Sequence, residues 1–393
     1  MKFDFSKSLV PEDYIKASLR KLATYREELK EIAHSPLYLA PESSLFLPHH
    51  AEQLKSVRET LTALSGNLKL VIVIGIGGSS LGAKAVYDAV FGHYDDLTPN
   101  RFPKLHFLEA PDEKEIEKLV NYVRVEKFSE SEILINVISK SGVTKETLTN
   151  FELLISNLTS TLPQINKRVV ITGDNDSPLV LEANKNKHQT LIIPQTVGGR
   201  FSIFSAVGLL PLLAAEVDVE GMLAGAREMQ SECLGDNEEN PASLMAIFHA
   251  YHLEQGKNIH DTFSFDSAWE TLGKWYRQLL AESIGKDGKG ITPTVSIGPN
   301  DLHSVAQLEL GGPKDKTTLF LLNEANEFNL PIFNGVETAY KTHQLPFVKV
   351  IMENNPQELG AYLTWRMIEI MLLGKLLGIN AFNQPDVEDY KSR

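Results

Sequence analysis

The chain has 393 residues, enough at ~150 residues per domain for two domains with substantial cores. Its 42% hydrophobic and 23% charged residues are those of an ordinary globular protein, which excludes collagen-like, wholly disordered and disulfide-scaffold chains. With 38 Lys and Arg against 51 Asp and Glu, the net charge of -13 repels polyanions and argues against nucleic acid or an acidic membrane as a partner.

The opening residues, MKFDFSKSLVPEDYIKASLR, alternate charged and apolar positions, so no secretory leader is expected. From 16 to 33, apolar residues at three- and four-residue spacing predict an amphipathic helix, which Pro36 and Pro41 terminate. Short continuous apolar runs follow, at 68–76, 105–110, 132–139, 168–173 and 190–195, and these suit strands buried on both faces. Helical patterns at 81–91, 113–122 and 145–158 separate them, and the alternation predicts a parallel sheet with helices on both sides. Beyond Gly198 come helical patterns at 202–215, 219–233 and 241–255. Strand candidates DTFSFDS, TPTVSIG, TTLFLLN and FVKVIME follow them, and a long helix is expected over 356–377.

The expected class is therefore α/β, with two doubly wound parallel-sheet domains. The boundaries read as an N-terminal helical segment 1–50, a first domain 51–196 and a second domain 197–393. The apolar runs 70–76 and 207–215 fall short of the ~18 residues of a membrane span, and Pro211 breaks the second. Cys233 is the single cysteine, so no intrachain disulfide or Cys-based zinc site can form, and a reducing cytoplasm is the expected location.

Five loops carry candidate chemistry. GIGGSSLG (75–82) joins a strand to a helix; Gly78 and Ser79 let backbone amides approach a phosphate, and Ser79 and Ser80 suit a helix cap. It lacks the third glycine of a dinucleotide fingerprint and the Lys-Ser/Thr pair of a nucleotide P-loop. ISKSGVTKET (138–147) empties a second strand into Ser139, Lys140, Ser141 and Thr144. Ligands in open α/β sheets bind outside the carboxyl ends of the strands, so these two loops should share an edge and hold one phosphoryl group.

In TVGGRFSIFSAVG (196–208), Gly198 and Gly199 permit a tight path that presents Arg200, which suits either an oxyanion or a neighbouring carboxylate. Glu282 closes the helical run WETLGKWYRQLLAESIG, where desolvation would make it a general base and exposure only a solvated charge. His303 opens GPNDLHSVAQLELGG and suits either proton transfer or an ordinary surface role. His249 with His252, and His49 with His50, are weak metal candidates by spacing alone.

Together the five loops resemble the glucose-6-phosphate isomerase family, a two-domain sugar-isomerase fold. VGGRFS (197–202) is similar to its GGR-aromatic-Ser signature, and GINAFNQPDVEDYK (378–391) to its C-terminal signature. Glu282, Ser283, Gly285 and Lys286 match its Glu-Ser-x-Gly-Lys pattern, and Leu302, His303, Ser304 and Gln307 its Leu-His-Ser-x-x-Gln pattern. Ser141 stands where threonine is usual, and Asn383 where aspartate is frequent.

The resemblance implies a cis-enediol isomerase of the short bacterial branch that uses Glu282 as the base and Arg200 to stabilise negative oxygens. It implies ring opening by His303 and Lys391, with the histidine supplied by the other subunit of a homodimer. Gly78, Ser79, Ser139, Lys140, Ser141, Thr144 and Gln384 would bind the sugar phosphate, with no metal and no redox cofactor. A sugar-phosphate sensor on the same fold, and an isomerase that also accepts mannose 6-phosphate, are the alternatives.

Overall fold

The structure is a computed structural model and describes all residues except 65, 236, 238, 239, 324 and 388–393. The chain divides into two compact units, one comprising residues 36–87 and 94–219, the other 1–35, 88–93 and 220–393. The cuts thus fall away from residues 50 and 196: residues 1–35 pack with the second half of the chain, and 197–219 with the first. Among the described residues the strands, in chain order, are β1 (Lys2–Asp4), β2 (Leu70–Ile74), β3 (Lys104–Leu108), β4 (Ile133–Ile138), β5 (Val169–Gly173), β6 (Gln189–Ile192), β7 (Ile259–Ser264), β8 (Thr292–Ile297), β9 (Lys316–Asn323) and β10 (Phe347–Met352).

The unit of 36–87 and 94–219 holds a sheet of order β3-β2-β4-β5-β6 in which every pairing is parallel. All residues of β2 and β4 are buried, as strands covered on both faces require. Ile72, Ile74, Ile135 and Val137 pack with Leu119, Val123, Leu154 and Leu158 of the helices Glu113–Val125 and Lys145–Thr159. Asp112 caps the first of these, its carboxylate accepting from the amides of Lys114 and Glu115. The chain turns back after β3 to place β4 on the other side of β2. The β2/β4 seam is therefore the topological switch point, where a doubly wound sheet opens a crevice at its carboxyl edge.

The other unit holds a sheet of order β1-β10-β9-β7-β8, parallel except for β1, which adds antiparallel at the edge with Phe3 opposite Val350. Its sheet packs an aromatic cluster of Phe263, Phe265, Phe320, Phe333, Tyr340 and Phe347. The helix Pro356–Leu377 is buried without interruption from Leu359 to Gly374. It is surrounded by the helices Glu12–Ala33, Pro241–Glu254 and Glu270–Ile284. The expected helix over 202–215 is shorter, a turn at Gly199–Phe201 and then Ala206–Ala214, because Ser205 caps the amide of Val207 and starts it afresh.

Candidate active site

In the unit of β2 to β6, the expected phosphate loops meet at the switch point. Ile74 of β2 pairs with Val137 of β4, so the turn Gly77–Ser79 and the segment from Ser139 to Thr144 leave adjacent strands at the same level. Gly77 takes a left-handed φ of 59° to reverse the chain. The amides of Ser79 and Ser80 are spent on the carbonyls of Ile76 and Gly77, which leaves those of Gly77 and Gly78 with no backbone partner among the described residues.

Gly78 is the glycine that the close approach demands. A Cβ there would lie 2.3 Å from the carbonyl carbon of Gly199 and 2.7 Å from the amide nitrogen of Arg200. At Gly198 and Gly199, where the sequence suggests the tight path, an added Cβ would meet only ordinary contacts, at 3.6 and 3.7 Å. The Gly199–Phe201 turn is thereby seated on the 77–79 turn, and Ser202 Oγ donates to the carbonyl of Gly199 at 2.7 Å. Arg200 is 3% exposed, with its guanidinium 5.5 Å from the ring centre of Phe201.

The 139–144 segment is internally braced. Ser139 is buried, and its hydroxyl is 3.0 Å from Thr144 Oγ1 and accepts from the amide of Gly142 at 3.1 Å. Gly142 needs its positive φ of 69°, and a Cβ there would meet the amide of Leu179 at 2.8 Å. Ser141 is exposed, and Thr144 stands at the N-terminus of Lys145–Thr159, whose first amides have no intrahelical acceptor. Lys140 reaches across the edge, its Nζ donating to the carbonyls of Gln195 at 2.7 Å and Val197 at 2.8 Å. Burial pushes its pKa down. Ser80, expected as a helix cap, turns instead to Glu109, to which its hydroxyl donates at 2.6 Å.

The remaining candidates belong to the other unit. Glu282 lies in the last turn of Glu270–Ile284, half-buried, and Gln278 Nε2 donates to its Oε1 at 3.0 Å. Gln278, one helical turn before Glu282, is not singled out by the sequence, because an i,i+4 amide and carboxylate is an ordinary surface pattern. The same helix buries Trp275 and Tyr276, as its pattern suggests. Beyond its end Lys286 is 7% exposed and donates to the carbonyls of Ser283 at 3.0 Å and Asn380 at 2.5 Å. It thus ties the Glu282 helix to the C-terminal segment that holds Gln384. Lys391 lies outside the described residues.

His303 ends the turn Asn300–His303 after β8 and is exposed. Along the chain Glu282 precedes β8 and His303 follows its carboxyl end, and the six strand residues between them span ~20 Å.

The weak metal candidates are held by protein groups. His249 Nε2 is 3.2 Å from Glu369 Oε1, His252 Nε2 is 2.7 Å from the carbonyl of Ser8, and His50 Nδ1 is 2.7 Å from the hydroxyl of Tyr38. Among the described residues no group of three or more His, Cys, Asp or Glu side chains is placed to hold a metal ion. No helix in the described residues is long and apolar enough to cross a membrane.

Residues 49–302 match the family model for phosphoglucose isomerase. A glucose-6-phosphate isomerase from Methanocaldococcus jannaschii is 35% identical over 344 residues, covering 82% of each chain. Among solved structures, a hypothetical protein from Thermus thermophilus is similar with a TM-score of 0.81 at 26% identity, over 100% of this chain and 98% of that one. A glucose-6-phosphate isomerase from Chlamydia trachomatis has the same fold, with a TM-score of 0.81 at 18% identity over 99% of this chain and 86% of that one.

Proposed function

The chain belongs to the phosphoglucose isomerase family and interconverts glucose 6-phosphate and fructose 6-phosphate, a step of glycolysis and gluconeogenesis, and on that premise we propose how its residues divide the work. The phosphate is held at the β2/β4 switch point. Its oxygens accept from the amides of Gly77 and Gly78, from the hydroxyls of Ser79, Ser141 and Thr144, and from the first amides of Lys145–Thr159. Ser139 and Lys140 serve this site by bracing it, the hydroxyl within its own turn and the ammonium against the 195–197 carbonyls.

Aldose and ketose differ by one proton on carbon and one on oxygen. After ring opening, assisted by His303 and Lys391, the Glu282 carboxylate takes the C2 proton of the aldose, the C1 carbonyl oxygen takes up the negative charge, and a cis-enediolate is left; protonation of that oxygen gives the cis-enediol. Glu282 then returns its proton to C1 as the C2 hydroxyl gives up its own, so that the net change moves one proton from C2 to C1 and one from O2 to O1, and the reverse path uses the same group. A positioned base contributes ~10²–10⁴-fold. The hydrogen bond from Gln278 helps to hold the Glu282 carboxylate in place. Arg200 supplies positive charge where the enediolate oxygens become negative, and Gln384 holds the sugar.

His303 comes from a second copy of the chain, so the active species is a homodimer. This accounts for its exposure at the opposite end of β8 from Glu282. The single cysteine, Cys233, is buried and unpaired, which suits a cytoplasmic enzyme.

The observation that carries the assignment of the binding half is the seating of three turns, 77–79, 139–144 and 199–201, at one sheet edge. The test is conversion of fructose 6-phosphate to glucose 6-phosphate by chelator-treated protein, followed with a coupled dehydrogenase, beside the Glu282→Gln variant. Turnover by the parent and not by the variant supports the assignment. Equal turnover removes Glu282 as the base, and binding without turnover in the parent favours a sensor.

A further inference from the structure

A carboxylate stands where an anion is expected to bind. Glu109 follows the carboxyl end of β3, next to β2 in the sheet, and so lies on the same edge as the 77–79 turn. Left to itself it would repel a phosphate dianion. Its surroundings show what it is doing there. The hydroxyl of Ser80, a residue 1% exposed, donates to Glu109 Oε1 at 2.6 Å, and Lys84 Nζ lies 3.1 Å from Oε2. The main-chain carbonyl of Glu109 accepts from Asn150 Nδ2 of the helix Lys145–Thr159 at 3.1 Å, and Asn150 is fully buried. Glu109 is therefore joined to the segments that follow both anion loops: through Ser80 to the residue that ends the 77–79 turn, and through Asn150 to the helix whose N-terminus faces the ligand.

We infer that Glu109 is a positioning residue for the phosphate site, fixing the 77–79 turn through Ser80, and that Lys84 cancels the charge this brings to the edge. The inference deepens the proposed function and rests on its placement of the phosphate. The amide of Ser80 donates to the carbonyl of Gly77 at 3.1 Å, and beyond Glu109 the only other contact of its hydroxyl among the described residues is 3.4 Å from that same carbonyl, too long to orient the side chain. Without the carboxylate the hydroxyl would relax into the turn and rotate the amides of Gly77 and Gly78 off the ligand. A charge-assisted hydrogen bond as short as 2.6 Å is of the strong kind, which suits a single contact that must set the direction of two amides.

The test compares Ser80→Ala, Glu109→Ala and Glu109→Gln with the parent. It measures KM and kcat for fructose 6-phosphate and, independently of turnover, the dissociation constant of inorganic phosphate by calorimetry. Circular dichroism and a thermal melt check that each variant is folded. Ser80→Ala and Glu109→Ala should raise KM and the phosphate constant about tenfold, with kcat within twofold. Glu109→Gln, which keeps an acceptor for Ser80, should recover most of the loss. Unchanged phosphate binding in folded Ser80→Ala would overturn the inference, as would a fall in kcat without a change in KM. Tighter phosphate binding in Glu109→Gln than in the parent would also overturn it, because Glu109 would then act as a repulsive charge. If the parent binds phosphate but does not turn over, the isomerase assignment fails while the positioning role is still decided by the calorimetric arm.

Discussion

The two units solve different problems with similar sheets. Around β2 and β4 the core is almost wholly apolar, and polar groups gather at the carboxyl edge, where short turns present amides and hydroxyls. Around β7 and β9 the aromatic cluster is accompanied by a buried polar network. Arg366 and Glu369 are fully buried 2.8 Å apart, Tyr276 donates to Glu369 at 2.9 Å, and His249 stacks edge-on against the buried His260. A site that grips a phosphate needs backbone direction, which sheet and turn geometry provide. A helix that must hold a base in one place gains from a buried network that admits a single register, and Tyr276 joins the Glu282 helix to that network.

Substituting Glu282, the proposed base, gives the largest expected effect and the sharpest separation of the two proposed roles. Glu282→Gln should lower kcat by about 10³-fold, within the range for a positioned base, and leave phosphate binding unchanged. A parallel loss of phosphate affinity would mean that the binding and chemical roles are not divided as proposed. Next is the buried network. Glu369→Ala leaves the Arg366 guanidinium uncompensated at 0% exposure and should cost about 3–5 kcal/mol in urea unfolding. A paired Arg366→Met, Glu369→Leu variant should recover most of that stability, and its kcat then reports whether the network does more than fold the unit.

Gly78→Ala addresses the other unit. Its Cβ would sit 2.3 Å from backbone of the Gly199 turn, so main chain must move, at an expected cost of about 1–3 kcal/mol. Because both turns belong to the proposed anion edge, KM for the sugar phosphate should rise several-fold in steady-state kinetics. Gly199→Ala, whose Cβ would meet Gly78 Cα at an ordinary 3.7 Å contact, should leave KM unchanged. Equal effects would show that the seating of one turn on the other is not what shapes the site.

The same contrast explains what can be read from sequence. Strands such as β2 and β4 are legible because burial on both faces makes them continuous apolar runs, and the long helix over 356–377 because its caps, Asn355 and Gly378, bound an unbroken apolar pattern. Strand β1 is not legible: three residues at a sheet edge become a strand only because β10 pairs with them. The helices Ala51–Ala63 and Leu330–Thr342 are likewise hard to read, their patterns being short and mixed. Within the site, Glu282 and Arg200 stand out through motif resemblance, since periodicity alone leaves each with a bland alternative. The Ser80–Glu109 contact joins residues 29 apart across neighbouring strands, and nothing local in either segment announces it.

The smallest effect concerns acid. His252 is 3% exposed, and burial, outweighing the carbonyl of Ser8, pushes its pKa down from 6.5 to about 4. Between these values the unfolded chain binds the proton that the folded chain refuses, so this residue's contribution to stability is intact above pH 6.5 and is lost as the pH falls toward 4. Glu309 works the other way. Burial and the neighbouring Asp261 push it up to about 7, so the folded state gains protons first, and stability from this group grows as pH falls below 7. The whole-protein pH profile therefore mixes opposing slopes, and a single substitution is needed to isolate one. His252→Gln removes the titrating ring but keeps an amide that can donate to Ser8. Relative to the parent, the variant should gain up to about 2 kcal/mol between pH 7.5 and 5 in urea unfolding, from 1.36 kcal/mol per pKa unit. A difference that does not change with pH would mean that the ring is reached by water, and that this polar interior is less closed than its burial implies.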